Sequence, residues 1–252
     1  MAKDQAAESE DRTSCFHRDG FVIVEGLIDS DLCEAVIFEM RKFLELDSSG
    51  SKPSTIRLTD LWTKSEAIRA LATDNAIAEI VVELLGSESF PFQTLNFPFG
   101  SEQAAHSDLI HFSTRPYGGM CGVWAALEEV RGDCGPLFYY PFSHRLRPHV
   151  YESYGLSADA FGSQGPTYQN YEDLLQKRMM FLGFEKQRFL GKRGDVLFWH
   201  ANLVHGGEPR VDPMGSRYSQ VTHWFCRNRE YLSPINGWST RSVNEILKFE
   251  EL

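Results

Sequence analysis

The chain is short of positive charge: 25 Lys and Arg stand against 35 Asp and Glu, a net charge of −10 at pH 7. Gripping a phosphate backbone or an anionic membrane takes a basic footprint, so nucleic acid and membrane surfaces are not expected partners. No run approaches the ~18 consecutive apolar residues of a bilayer span. The opening residues 1–12 are polar and acidic with no apolar stretch, so no signal peptide is expected there. Cysteine is sparse: five residues, at 15, 33, 121, 134 and 226, with no Cys-x-x-Cys. That pattern suits a reduced, cytoplasmic chain rather than a disulfide framework or a thiolate metal site. Internal repeats and low-complexity segments are also missing.

What is present is an ordinary globular composition, 42% hydrophobic over 252 residues, enough to bury a sizeable core. The 18 Phe suit a β-rich core or a pocketed enzyme. Residues 1–13 read as a disordered lead-in, and 14–252 as a single domain. Phe21–Gly26 reads as a strand. A helix follows, capped by Asp29 or Ser30, and then a loop over 47–54. A helical region over 65–85 breaks near Thr73-Asp74 and stops at Gly86. Beyond it come short strand-like stretches around 92–97, 106–112, 120–128, 137–140, 194–199, 202–205 and 217–226, punctuated by Gly and Pro. Many short strands with turn signals imply a sandwich or closed barrel. An insert over 150–186 lacks alternation and carries a helix from about Glu172 to Phe181. Inserts of this length are often pocket walls.

The chemistry-bearing residues are His106-Ser107-Asp108 and, far downstream, His205 and Arg217. On an extended strand, positions two apart project from one face, so His106 and Asp108 converge. Two His and one carboxylate, leaving open positions, form the ligand set of a non-haem Fe(II) oxygenase. Alone, a His-x-Asp pair is more often a surface or capping pair. His111, His144 and His200 compete for the second imidazole; His111 has the wrong parity to share a strand face with His106.

In this light the chain resembles the phytanoyl-CoA dioxygenase family of Fe(II)/2-oxoglutarate oxygenases, from about Phe16 to Phe225. The matching elements are Phe16-His-Arg-Asp-Gly-Phe-Val-Ile-Val-Glu-Gly26, His106-Ser-Asp108, Val123-Trp-Ala-Ala-Leu-Glu128, Gly135-Pro-Leu-Phe-Tyr-Tyr-Pro-Phe-Ser-His144, Gly194-Asp-Val-Leu-Phe-Trp199, and His205-Gly-Gly followed by Arg217. The resemblance implies a mainly β fold with flanking helices (α+β): a double-stranded β-helix, or jelly-roll barrel, with an N-terminal helical portion. It implies that His106, Asp108 and His205 bind Fe(II), and that 2-oxoglutarate chelates the metal with its distal carboxylate on Arg217. A guanidinium fork suits a carboxylate. Trp124 would lie against the co-substrate, with Gln93 and Asn96 as hydrogen-bonding candidates. Phe142 departs from the family, which reads Gly at that point of the Pro-Phe-Ser-His turn.

The implied reaction consumes O2 and 2-oxoglutarate, releases succinate and CO2, and oxidises a C–H bond of a small-molecule substrate. Related halogenases carry a small residue in place of the carboxylate, so Asp108 favours hydroxylation; desaturation, epoxidation and ring formation stay open. No phosphate-cradling Gly-rich loop or tight basic cluster points to a coenzyme A ester. Phe112, Tyr117, Tyr139 and the 150–186 insert are candidate pocket walls, with Arg115, Arg145, Arg147 and Arg188 near the rim. A non-catalytic metal- or ligand-binding barrel is the competing class, and the sequence does not set the oligomeric state.

Overall fold

The computed structural model describes residues 11–46 and 57–241. The expected loop over 47–54 and most of the lead-in fall outside them. The lead-in ends sooner than expected: helix α1 spans Arg12–Asp19, with the Asp11 carboxylate accepting from the Thr13 and Ser14 amides. Its polar sequence hides it, since Phe16 is its one buried side chain.

Strand β1 (Phe21–Val24) leads to α2 (Ser30–Leu46), where the Asp29 carboxylate accepts from the Asp31 amide at 2.7 Å. A short β2 (Leu58–Thr59) precedes α3 (Glu66–Ala72) and α4 (Asn75–Leu85). The break between these helices falls where Asp74 caps the new N-terminus through the Ala76 and Ile77 amides. Gly86, at φ +63°, ends α4 in a left-handed cap.

From there the chain is β-rich: β3 (Ser89–Phe97), β4 (Ser113–Arg115), β5 (Met120–Ala126), β6 (Leu137–Tyr139), β7 (Gln187–Arg188), β8 (Val196–His200), β9 (His205–Gly207), β10 (Ser219–Cys226), β11 (Glu230–Ser233) and β12 (Ser239–Arg241). The major sheet runs β1-β8-β5-β10-β3-β2 and the sheet facing it β7-β6-β9. Their recorded pairings are antiparallel. Two antiparallel sheets packed face to face make the expected jelly-roll, the double-stranded β-helix. A third sheet, β12-β11-β4, extends one end.

Alternation along the major sheet assigns its two faces. Val123, Ala125, Val196 and Phe198 pack on the helices, against Met40, Ile68, Ile77 and Val81. Trp124, Leu197, Trp199 and Val221 point the other way, into the sandwich with Leu137 and Tyr139. The helices therefore seal one face, and the second face is free to build a cavity. All five cysteines are free thiols. Among the described residues no helix is long and apolar enough to cross a membrane.

The 150–186 insert holds α5 (Pro166–Phe181), which begins six residues before the expected start, with Pro at its first position. Its inner face, Tyr168, Tyr171, Leu175 and Met179, packs on Ile110, Tyr151 and Val204. The Pro-Phe-Ser-His turn keeps the shape a Gly would give it: Phe142 sits at φ +68°, and its amide donates to the Asp19 carbonyl.

Candidate metal centre and its cavity

His106 and His205 face each other across an antiparallel bridge, each backbone N–H donating to the other's carbonyl at 2.9 Å. Directly opposed residues place their side chains on one face, and the two ring centroids lie 4.4 Å apart. Each ring is fixed the same way. His106 Nδ1 donates to the Ala104 carbonyl at 2.9 Å, and His205 Nδ1 to the Leu203 carbonyl at 3.0 Å. A carbonyl only accepts, so each Nδ1 carries a proton, and in the neutral ring Nε2 is left to present its lone pair.

Asp108 arrives by a route other than the expected strand. Ser107 is extended, but Asp108 opens a one-turn 3-10 helix, Asp108–Ile110, capped by the Ser107 hydroxyl on the Leu109 amide. That hydroxyl donates in turn to the Ala201 carbonyl. The bend brings Asp108 Oδ1 to 3.8 Å from His106 Nε2 and 3.7 Å from His205 Nε2. The three form the one cluster of possible metal donors found among the described residues, all buried, with donor atoms within 4.8 Å of one another.

Electrostatics hold His106 and Asp108 in ligand form. Burial, then the neighbouring His205, pushes His106 down to about 3, keeping it neutral. Burial by itself raises the Asp108 carboxyl, but His205, His223 and His106 around it outweigh that and hold it well below the usual carboxylate range.

Gly206 and Gly207 serve a close approach of protein to protein. A Cβ on Gly206 would stand 2.7 Å from the Gln103 carbonyl oxygen, and one on Gly207 2.9 Å from the Glu102 amide nitrogen. Without side chains there, the 101–106 segment can lie beside β9 and deliver His106.

The triad opens onto a cavity of about 240 Å3 lined also by Trp124, Arg217, Gln93 and Phe112. Arg217 forms its inner end and is 2% exposed. The guanidinium donates from Nη1 to the Gly135 carbonyl at 2.7 Å and from Nη2 to that of Phe99 at 3.5 Å. It lies 5.4 Å from the Trp124 ring and 5.9 Å from that of Phe97. Nε has no partner, and none of the ion pairs among the described residues includes Arg217. Burial lowers its pKa to about 10, which leaves it charged at neutral pH. A buried, charged fork with backbone partners and no carboxylate is an uncompensated site for an anion.

The other expected residues divide by parity. Gln93 faces the cavity with Leu95 and Phe97. Asn96 does not: it points to the helical side of β3, where its amide donates to Gln220 Oε1 at 3.0 Å, and Gln220 reaches the Ile68 carbonyl. The expectation that Asn96 meets co-substrate or substrate is therefore corrected. Residues three apart on a regular strand face opposite ways.

Phe112 lines the cavity, whereas Tyr117 is exposed and Tyr139 packs on Phe21. At the mouth the cavity's arginine is Arg57, bonded to Gln103 Oε1 at 2.7 Å, rather than any of the four expected at the rim. Arg115 pairs with Glu230. The insert reaches the cavity through Ser163, and Tyr168 of α5 meets His111 Nε2 at 3.0 Å. His144 bonds the His17 carbonyl and His200 accepts from the Asn202 amide, both away from the donor cluster.

Sequence reasoning missed three residues that meet the triad. His223 sits 3% exposed with Nδ1 3.0 Å from Gln93 Oε1 and Nε2 3.6 Å from Asp108 Oδ2. It lies six residues after Arg217, an even spacing within the stretch read as strand-like over 217–226, and that was the available signal. Gln103 donates its amide to His106 Nε2 at 3.2 Å. The Trp199 indole donates to Asp108 Oδ2 at 2.7 Å.

The family model described as Phytanoyl-CoA dioxygenase (PhyH) matches residues 16–213. The peroxisomal phytanoyl-CoA dioxygenase of Homo sapiens is 31% identical over 150 residues, 58% of this chain and 39% of that protein. The match to the Bos taurus protein likewise covers 40% of its length. Ectoine dioxygenase of Bordetella bronchiseptica is 24% identical over 82% of this chain and 72% of its own. Among solved structures, the epimerase SnoN in complex with Fe3+, alpha ketoglutarate and nogalamycin RO superposes with a TM-score of 0.65 at 22% identity. That superposition covers 87% of this chain and 84% of SnoN.

Proposed function

This chain belongs to the phytanoyl-CoA dioxygenase (PhyH) family, and from that premise we propose that it is an Fe(II)- and 2-oxoglutarate-dependent dioxygenase that hydroxylates a small molecule. One observation carries the reading. The cavity that gathers two imidazole Nε2 atoms and one carboxylate oxygen also holds a buried guanidinium with no carboxylate of its own. A donor set of two imidazoles and one carboxylate fits a divalent iron, and the uncompensated Arg217 fits a dicarboxylate reaching that metal.

His106, Asp108 and His205 would hold the metal, and Arg217 the distal carboxylate of 2-oxoglutarate, with Trp124 and Phe97 closing on its carbon chain. When bound, iron, 2-oxoglutarate and O2 supply the oxidation of a C–H bond with release of succinate and CO2. The protein supplies position and dryness: every member of the triad, and Arg217, is under 7% exposed. The substrate would enter from the mouth, between Arg57, Gln93, His111, Phe112 and Ser163. Those groups suit a compact polar molecule, and the cavity lies below the ~300–1,000 Å3 usual for ligand pockets.

The test is succinate formation by purified protein with Fe(II), ascorbate, 2-oxoglutarate and O2, with and without a pooled metabolite extract. We expect 2-oxoglutarate-dependent succinate, stimulated by the extract and lost in His205→Ala. Protein that binds neither iron nor 2-oxoglutarate would instead be a non-catalytic barrel.

A further inference from the structure

The two oxygens of Asp108 live in different surroundings. Oδ1 faces both imidazole Nε2 atoms, at 3.8 and 3.7 Å. Oδ2 faces away from that point, accepting the Trp199 indole N–H at 2.7 Å, with His223 Nε2 3.6 Å off. Trp199 is 2% exposed and Asp108 4%, so this is a charge-assisted bond in a dry setting, where it is stronger than in water.

The sheet makes room for that indole. Trp199 on β8 pairs directly with Gly122 on β5. A Cβ on Gly122 would stand 2.1 Å from Trp199 Cε2 and 2.6 Å from its Nε1, so the indole lies across a position where only Gly fits. The indole also packs on the His205 ring, with centroids 4.9 Å apart. Gly122, Trp199 and Asp108 thus form a line from the sheet backbone to the donor cluster.

We propose that Trp199 is the positioning residue that makes Asp108 a one-oxygen metal ligand. A carboxylate free to turn can chelate through both oxygens and occupy a second coordination position. With Oδ2 held by the indole, Oδ1 alone is presented, and three positions stay open for co-substrate and oxygen. This rests on the reading of His106, Asp108 and His205 as metal ligands.

The test uses the full chain with Co(II) as the metal probe. Trp199→Phe removes the N–H; β-(3-benzothienyl)alanine at position 199 removes it while keeping the two-ring shape, which guards against a packing defect. Affinity is read by titration and coordination number by the visible Co(II) spectrum, beside thermal unfolding of the metal-free protein. We expect both variants to bind Co(II) about tenfold or more weakly, with a spectrum altered from wild type. The benzothienyl protein should unfold cooperatively, its unfolding temperature lowered only by the lost bond. Unchanged affinity and spectrum in that protein would overturn the role of Trp199 and leave the metal site standing. Wild type that binds no Co(II) removable by His205→Ala would overturn the metal site, and this role with it.

Discussion

The inner end and the mouth of the cavity are built by different means. Arg217, Trp124, Phe97 and the triad sit on or beside paired strands, buried, each tied to backbone or to a packed ring. At the mouth, Arg57, Gln103 and Ser163 come from loop and insert, and the Arg57 guanidinium is held there by a side chain, Gln103, rather than by backbone. The difference separates two tasks. Chemistry that tolerates little misplacement is carried by the sheet sandwich, and choice of substrate is left to segments that can vary without disturbing it.

The largest break in that contrast comes at the inner end. Arg217→Ala should cost about 3 kcal/mol of co-substrate binding, the value of two charge-assisted hydrogen bonds. That is about a hundredfold in the apparent KM for 2-oxoglutarate. Arg217→Lys should recover only part of it, because an ammonium lacks the planar fork. A variant with unaltered 2-oxoglutarate dependence would unseat Arg217.

Changes at the mouth should be smaller and should fall on the other substrate. Tyr168→Phe removes the bond to His111, worth about 1 kcal/mol, and should shift the KM of the oxidised substrate about fivefold. Arg57→Ala should act in the same range. Neither should move the KM for 2-oxoglutarate, and an equal effect on both substrates would erase the distinction between the two ends.

A further expected effect lies outside the cavity and concerns acid stability. Burial pushes His149 down to about 4 and His200 to about 3. Both stay neutral in the folded protein where an unfolded chain, titrating near 6.5, takes up protons. The unfolded state binds more protons in that window, so stability falls as pH drops from about 6.5 towards 4. Denaturant unfolding of the metal-free protein at pH 7 and pH 5 should show the loss. His149→Gln, which cannot be protonated, should flatten the slope.

Much of the fold was legible because local chemistry wrote it down. Asp74 could only begin a helix and Gly86 only end one, and both did. The strands over 92–97, 120–128 and 217–226 were legible as short strand-like stretches between Gly and Pro turns. Helix α1 was not, because a polar helix with one buried Phe16 shows no periodic face. The triad was legible as residue types, yet its geometry was not local. His106 and His205 meet through a long-range bridge, and Asp108 turns in on a Ser107 cap. Asn96 was misread because its parity was not weighed against that of Gln93. His223 was overlooked although its spacing from Arg217 places it on the same face. Trp199 could not have been read from sequence: its role depends on standing opposite Gly122, and register between distant strands is a tertiary fact.

The most direct test of the central claim is an anaerobic titration of 2-oxoglutarate into Fe(II)-loaded protein, followed by visible absorption. A keto acid chelating iron through both its oxygens gives a charge-transfer band. The account predicts that the band grows to one equivalent in wild type, needs far more 2-oxoglutarate in Arg217→Ala, and is missing in His205→Ala. Wild-type protein that gives no band at saturating Fe(II) and 2-oxoglutarate would contradict it.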